Sequence, residues 1–184
     1  MSQKTKLDTF NNDWYRPGSY FKRILWYFTN VLFFKNHWFV ISPFKIFLLK
    51  IFGAKVGIGV VIKPGVSFKY PWKLSIGNYV WIGEDVWIDN LSKVTIRDHV
   101  CISQGAMLLT GNHNYKKSSF DLMIGEIVLE NGVWIGAKSI VCPGVTCSSH
   151  AVLTVNSVAS KDLNAFSIYT GNPAVFQKQR TIAE

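Results

Sequence analysis

The chain has few features that would cross-link it or anchor it in a membrane. It has three cysteines, an odd number without a CxxC spacing, so no disulfide framework is indicated and a reducing compartment is expected. No uninterrupted apolar run approaches the ~20 residues of a membrane-spanning helix. The first apolar stretch begins late and has no small-residue cleavage site, which argues against a signal peptide. We therefore expect a cytoplasmic protein.

Acidic residues are also scarce, at 11 against 20 lysines and arginines, and the imbalance is local. Residues 1–55 carry nine basic and two acidic side chains, whereas residues 56–184 carry eleven and nine. The basic residues of the first part stand among large aromatic and aliphatic ones. Nucleic-acid binding favours a polar basic stripe instead, so we do not expect it. The charge belongs to an N-terminal segment, residues 1–52.

This N-terminal segment has a helical pattern. Eleven of the fifteen positions from Tyr20 to Phe34 are apolar. Ser42-Pro43 then predicts the start of a second helix, which Gly53 ends. Two interpretations stay open. In the first, the apolar residues cap the open end of the following domain or fill a subunit interface. In the second, residues 20–52 rest on an anionic membrane surface.

From residue 56 onward an aliphatic residue recurs at every sixth position and is often followed by glycine, as in Ile76-Gly77 and Ile82-Gly83. Neither a helix nor a hairpin has this period, whereas one short strand and one tight corner of a β-solenoid do. Three such hexads make one triangular coil. We predict five coils, which begin at Val56, Ile76, Ile96, Leu129 and Cys147. Stacked coils would bury one another's apolar faces.

The breaks in the six-residue repeat predict where the solenoid is interrupted. Two extra residues follow each of the first two coils, which indicates an enlarged corner repeated in register. After His113 the chain leaves the repeat for fifteen residues, 114–128. Such excursions from a rigid scaffold are where binding and chemistry concentrate. The predicted solenoid therefore covers residues 53–164, with this extended loop after coil three and a C-terminal tail at 165–184.

Several motifs resemble the hexapeptide-repeat acyltransferases. They are Trp134-Ile135-Gly136, Cys142-Pro143-Gly144-Val145 and the closing Gly171-Asn172-Pro173-Ala174. The stretches 52–57, 70–74 and 110–115 are similar in particular to the colanic acid acetyltransferases of the WcaF type, relatives of the maltose, galactoside and nodulation acetyltransferases. The resemblance implies an all-β solenoid that is a left-handed parallel β-helix, although most parallel crossovers are right-handed. It also implies a homotrimer that binds acetyl-CoA between neighbouring subunits.

The resemblance further implies that His113 is a general base. A sugar hydroxyl is a poor nucleophile at neutral pH, and an imidazole that takes its proton accelerates attack on a thioester by about 10²–10⁴-fold. Asn90 and Asn112 are the implied acceptor-binding residues. The residues implied to line acetyl-CoA are Trp134, Gly136, Ala137, Val155, Ser157, Lys161, Asn172 and Pro173.

These assignments have structural alternatives that the sequence leaves open. Asn90 suits a turn with left-handed backbone equally well, Trp134 suits packing within the solenoid, and Lys161 suits a solvated surface. Coil five also departs from the family pattern, because Ser148 and Thr154 stand where glycine often follows the aliphatic residue. This departure leaves the contacts of Val155 and Ser157 with acetyl-CoA open.

A solenoid of this type can instead hold zinc between three histidines, as in the γ-type carbonic anhydrases. Only His99, His113 and His150 lie in the predicted solenoid, and their positions in the coils do not converge, so no metal is expected. The expected activity is direct transfer of an acetyl group from acetyl-CoA to a hydroxyl of a sugar or lipid-linked sugar in exopolysaccharide biosynthesis. N-acetylation of an amino sugar and a non-catalytic scaffold are the alternatives.

Overall fold

The computed structural model describes residues 4–183 and shows a left-handed parallel β-helix with a helical cap, which confirms the predicted fold class. Face one of the prism contains β1 (Lys55–Val56), β4 (Leu74–Ile76), β7 (Val94–Ile96), β12 (Ile127–Leu129) and β15 (Thr146–Cys147). Face two contains β2 (Val61–Ile62), β5 (Trp81–Ile82), β8 (Cys101–Ile102), β13 (Trp134–Ile135), β16 (Val152–Leu153), β18 (Ser167–Thr170) and β19 (Val175–Gln179). Face three contains β3 (Ser67–Phe68), β6 (Trp87–Asp89), β9 (Met107–Leu109), β14 (Ile140–Val141) and β17 (Val158–Ala159).

The register of the coils follows the six-residue repeat. On face one the residues predicted to begin the five coils are paired as direct neighbours, from Val56 through to Cys147. A sixth coil is formed in part, because Leu163 bridges to Cys147 and β18 pairs with β16. The described part of the chain therefore has five complete coils and one incomplete coil.

Inward side chains fill the prism as the repeat predicts. The column on face two, from Ile62 through Ile82, Ile102 and Ile135 to Leu153, is completely buried. Each fully buried aliphatic side chain contributes about 1.5–3 kcal/mol relative to an exposed one. A single coil would leave these side chains exposed on its upper and lower sides. The stabilisation is therefore obtained only when coils stack on one another.

Residues 165–183 continue the solenoid. Strand β18 pairs in parallel with β16, and β19 folds back antiparallel onto β18. An open strand edge presents unpaired N–H and C=O groups that attract other strands. Strand β19 therefore covers the edge of β18 and becomes the last strand of face two.

The first coil is closed by two helices, α1 (Tyr20–Thr29) and α2 (Ser42–Ile51), with a π-helical turn at Asn30–Phe34 between them. The Trp26 Nε1–H donates to the Phe68 carbonyl at 2.8 Å, and the Phe34 ring packs 5.6 Å from that of Phe68. The inner side of the segment therefore caps the open end of coil one. Among residues 4–183, no helix has the length and apolarity to cross a membrane.

The start of α2 differs in detail from the prediction. Ser42 is the first helical residue rather than the N-cap, and its hydroxyl accepts the Ile62 N–H at 2.9 Å. The side chain thus joins the helix to β2 instead of capping the helix. Gly53 ends the helix as predicted, with a φ of +97° that favours glycine.

A buried lysine in this cap should make the free energy of unfolding depend on pH. Lys45 is completely buried, its Nζ donates to the Lys63 carbonyl at 3.0 Å, and burial lowers its pKa from 10.5 to about 8. The unfolded chain therefore binds more protons than the folded one between pH 8 and 10.5, so stability rises with pH in that window. From pH 8 to pH 10.5 we expect the free energy of unfolding of the wild type to rise by about 3 kcal/mol more than that of Lys45→Met. Urea unfolding at several pH values measures this gain, and a pH-independent difference would contradict the assignment.

Candidate active site

The excursion after coil three is a β-hairpin rather than an irregular loop. Strand β10 (Gly111–His113) pairs antiparallel with β11 (Leu122–Ile124), so that His113 lies opposite Leu122. The Asn114 N–H donates to the Asp121 carbonyl at 2.8 Å and extends the ladder into the turn. His113 is consequently held on a paired strand at the edge where face three meets face one.

The His113 ring is fixed in one tautomer. Its Nδ1 lies 2.9 Å from the Phe120 carbonyl oxygen, which only accepts hydrogen bonds, so Nδ1 carries the proton. The Phe120 ring stacks on the imidazole with centroids 4.5 Å apart and planes within 9°. Nε2 therefore keeps its lone pair and is the nitrogen available as a base. The side chain is half-buried, so part of it remains accessible to a substrate.

A second aromatic ring reaches His113 from the N-terminal segment. Phe10 lies 5.8 Å from the imidazole, and the Lys6 N–H donates to the Ser118 carbonyl at 2.7 Å. The segment therefore runs along the hairpin and forms a wall beside the base. Sequence analysis missed both Phe10 and Phe120, because neither lies in the repeat or in a motif.

The two asparagines predicted to bind the acceptor lie in different surroundings. Asn112 is exposed beside His113, and its Oδ1 accepts the His113 N–H at 2.8 Å. Asn90 is completely buried in an enlarged corner. Its Oδ1 accepts the N–H groups of Lys69 and Tyr70 at 3.1 and 3.0 Å, and its Nδ2 donates to the Tyr70 carbonyl. The Asn90 amide therefore joins two coils, and its contact with the acceptor stays a prediction.

Most residues predicted to line acetyl-CoA lie along the edge between faces two and three. Trp134 projects outward from β13, about half exposed, and its Nε1–H donates to the Ser103 hydroxyl at 2.9 Å. Val155 is exposed at the same edge one coil further on. Asn172 and Pro173 are exposed just beyond β18. Together they follow one edge from coil four to the end of the prism.

Three further residues at this edge have close contacts within the chain. A Cβ on Gly136 would lie 2.5 Å from the Val155 backbone nitrogen, so the stacking of coils requires glycine there. The Ala137 carbonyl accepts the Asn156 N–H. Ser157 is buried, and its hydroxyl accepts the Gly171 N–H at 3.0 Å. The Ser157 side chain therefore packs inside the edge, and its contact with acetyl-CoA stays a prediction.

Thr154 occupies the corner position of coil five that Gly136 occupies in coil four. Its hydroxyl bonds to the Thr170 hydroxyl of the strand above at 2.7 Å and to the Ser157 hydroxyl at 3.1 Å. A side chain is thus accommodated at this corner, as Ser103 is in coil three. The edge is reshaped at this point by three bonded hydroxyls.

Lys161 does not join the group around Trp134. It is exposed just after β17, at the edge between faces three and one, on the same side of the prism as His113. Face three separates this edge from that of Trp134 and Val155. Within one chain the predicted residues therefore fall into two groups, His113 with Lys161 and Trp134 with its neighbours.

A cleft of about 320 Å³ opens elsewhere, between α1 and face three of coils one and two. Arg23, Lys69, Tyr70, Trp87 and Asp89 are among its lining residues, whereas His113 is not. Among residues 4–183, no group of three histidine, cysteine, aspartate or glutamate side chains is placed to hold a metal ion.

Comparison with known proteins identifies the family. No protein-family model matches the chain. The chain is 37% identical over 170 residues to the putative colanic acid biosynthesis acetyltransferase WcaF of Escherichia coli strain K12, covering 92% of this chain and 93% of that relative. The chain belongs to the hexapeptide-repeat acetyltransferases. This confirms the resemblance inferred from its motifs and the predicted enzyme class.

Two further relatives extend the comparison. The acetyltransferase is 30% identical over 129 residues to galactoside O-acetyltransferase of the same E. coli strain, covering 68% of this chain and 64% of the relative. A solved galactoside acetyltransferase in complex with coenzyme A superimposes with a TM-score of 0.76 at 24% identity, covering 87% of this chain and 81% of that one. That superposition supports the fold of the acetyltransferase.

The two asparagines provide a matched test of the acceptor site. Asn90→Ala leaves the buried Tyr70 N–H without a partner, whereas the Lys69 N–H still donates to the Ile88 carbonyl and the Tyr70 carbonyl still accepts the Lys73 N–H. We therefore expect a loss of about 1–3 kcal/mol in unfolding free energy. Asn112→Ala changes an exposed side chain and should cost less than about 0.5 kcal/mol. The KM for the acetyl acceptor should change in Asn112→Ala and not in Asn90→Ala. A raised acceptor KM in folded Asn90→Ala would show that Asn90 contacts the acceptor.

Proposed function

We propose that the acetyltransferase moves the acetyl group of acetyl-CoA to a hydroxyl of a sugar or lipid-linked sugar in exopolysaccharide biosynthesis, in the cytoplasm. The observation that carries the proposal is the hydrogen bond from His113 Nδ1 to the Phe120 carbonyl. It leaves Nε2 as a base on a half-buried ring beside the exposed Asn112. The family membership and the coenzyme A bound to the galactoside acetyltransferase support the choice of donor.

The chemistry needs no acyl-enzyme, because the thioester is already activated. The acceptor hydroxyl gives its proton to Nε2 as its oxygen attacks the thioester carbonyl carbon. The carbon–sulfur bond of the tetrahedral intermediate then breaks, and the imidazolium returns the proton to the departing thiolate of coenzyme A. Throughout these steps the Phe120 carbonyl stabilises the protonated ring through Nδ1–H. Both substrates are bound at once, so the transfer occurs in a ternary complex.

The two edges described above support a site shared between subunits. His113 and Lys161 lie on one edge, Trp134 and Val155 on another, and face three stands between them. A second copy that places its Trp134 edge beside the His113 edge brings the two groups together. Since His113 belongs to coil three and Trp134 to coil four, such copies stand side by side. Three copies related by a threefold rotation form a closed trimer. Each groove, formed by the His113 edge of one subunit and the Trp134 edge of the next, holds one acetyl-CoA.

The assignment of the base is tested by thiol release from acetyl-CoA across a panel of free, nucleotide-linked and lipid-linked sugars. We expect kcat to fall at least a hundredfold in His113→Asn. His99→Asn is the matched control, because His99 is an exposed solenoid histidine with a positive φ that asparagine tolerates.

Each result of this panel has one meaning. Equal activity in His113→Asn and wild type would contradict the proposal. A base-stable amide product would indicate N-acetylation of an amino sugar. Absence of thiol release with every acceptor would favour a non-catalytic scaffold.

The shared site is tested by mixing two inactive variants. His113→Ala removes the base, whereas Val155→Arg places a long charged side chain on the edge proposed for acetyl-CoA. If one site uses both chains, trimers assembled from an equal mixture should regain about a quarter of wild-type activity by random pairing. The unmixed variants are the controls. Activity that stays at the level of either variant alone would show that each site lies within one chain.

A further inference from the structure

The outward face of α1 is apolar, which is the reverse of the usual arrangement. A helix that packs on a domain normally turns its apolar stripe inward and its polar face to water. In α1 the exposed apolar positions form a stripe about 160° wide. They are Tyr20, Phe21, Ile24, Leu25, Tyr27 and Phe28. The inner side carries Trp26 and Arg23, followed by Asn30 in the π-helical turn. This helix therefore exposes its aromatic residues and covers part of its polar ones.

Helix α2 is inverted only in part. It buries Lys45 as well as Leu49 completely, while Phe47 on its outer side is 57% exposed. Between the two helices Trp38 is 94% exposed. Of the 28 large hydrophobic side chains exposed in the described part of the chain, 14 lie within residues 20–51. An exposed apolar surface of this extent marks an interaction site rather than ordinary surface variation.

The charge of the region indicates what it contacts. From residue 14 to residue 83 the sequence has ten lysines and arginines and no aspartate or glutamate. Lys35 and Lys50 are exposed among the outward aromatic residues. A second copy of the same surface would bring like charges together without an acidic partner. An anionic surface with an apolar layer beneath it complements both the charge and the aromatic side chains.

The position of the cap leaves the proposed active site free. The cap covers the open end of coil one through Trp26 and Phe34, which pack on Phe68. The two edges with His113 and Trp134 begin at coils three and four. The outer side of the cap therefore shares no residue with the edges proposed for the base and for acetyl-CoA.

We propose that the outer side of residues 20–51 docks on the surface of an anionic lipid bilayer. The aromatic and aliphatic side chains of α1, α2 and the Trp38 turn enter the interfacial layer, and the surrounding lysines contact lipid phosphates. The helices lie in the plane of the membrane surface. This inference stands on the cap alone and does not depend on the proposed reaction.

The test is flotation of the purified full-length protein with vesicles. We expect it to float with phosphatidylcholine vesicles that contain about a third phosphatidylglycerol, and to be released as salt is raised. Phe21→Ser/Phe28→Ser should lower partition at least tenfold. Trp38→Ser, in an exposed turn whose side chain supports no fold contact, should lower it as well. The matched control is Val175→Ser/Phe176→Ser at the other end of the prism, which should bind like the wild type.

Four results would overturn the proposal. Wild-type protein that does not float with protein-free anionic vesicles would favour a protein partner. Equal binding to purely neutral vesicles would refute the role of charge, and unchanged binding of both cap variants would refute the role of the apolar face. A fall in oligomer mass of Phe21→Ser/Phe28→Ser, measured by light scattering, would show that the face is a contact between subunits.

Discussion

Stacking of one coil on the next in exact register is the constraint on which the structure depends. On face two the inward residues of successive coils are direct neighbours, and most backbone hydrogen bonds run between coils, apart from those that close the turns. Close stacking also decides which residues fit the corners. At Gly136 the backbone of residue 155 leaves no room for a Cβ. At the equivalent corner of coil five Thr154 is accommodated, and its hydroxyl bonds to that of Thr170 in the strand above.

A rigid prism of this kind determines where chemistry can occur. The inside is filled, so ligands can only meet the faces and edges, and a base needs an element that projects from them. The hairpin of β10 and β11 is that element, since it leaves the repeat and returns to it without disturbing the register on either side. The Phe120 carbonyl, at the far end of the same hairpin, sets the tautomer of His113. The one hairpin that interrupts the repeat therefore attaches His113 to the prism and also sets its tautomer.

Sequence predicted the coils well because the inward positions obey a single requirement, which repeats every six residues. It predicted the corners less well. A polar residue at a corner is compatible with a side chain that faces a ligand and with one that bonds a neighbouring coil. Asn90 and Ser157 are the examples, since both are predicted to contact ligands and both bond to backbone groups inside the prism. Phe10 contacts His113 from a distant part of the chain, and no local sequence pattern predicts such a contact.

The central claim is that His113 of one chain and the Trp134 edge of another hold the same acetyl-CoA. Its most direct test is an experimentally determined structure of the assembled protein with coenzyme A bound. We expect the pantetheine arm to lie along the edge from Trp134 to Asn172 of one subunit, with its sulfur beside His113 Nε2 of the next. Coenzyme A bound along a single chain, or with its sulfur remote from every His113, would contradict it.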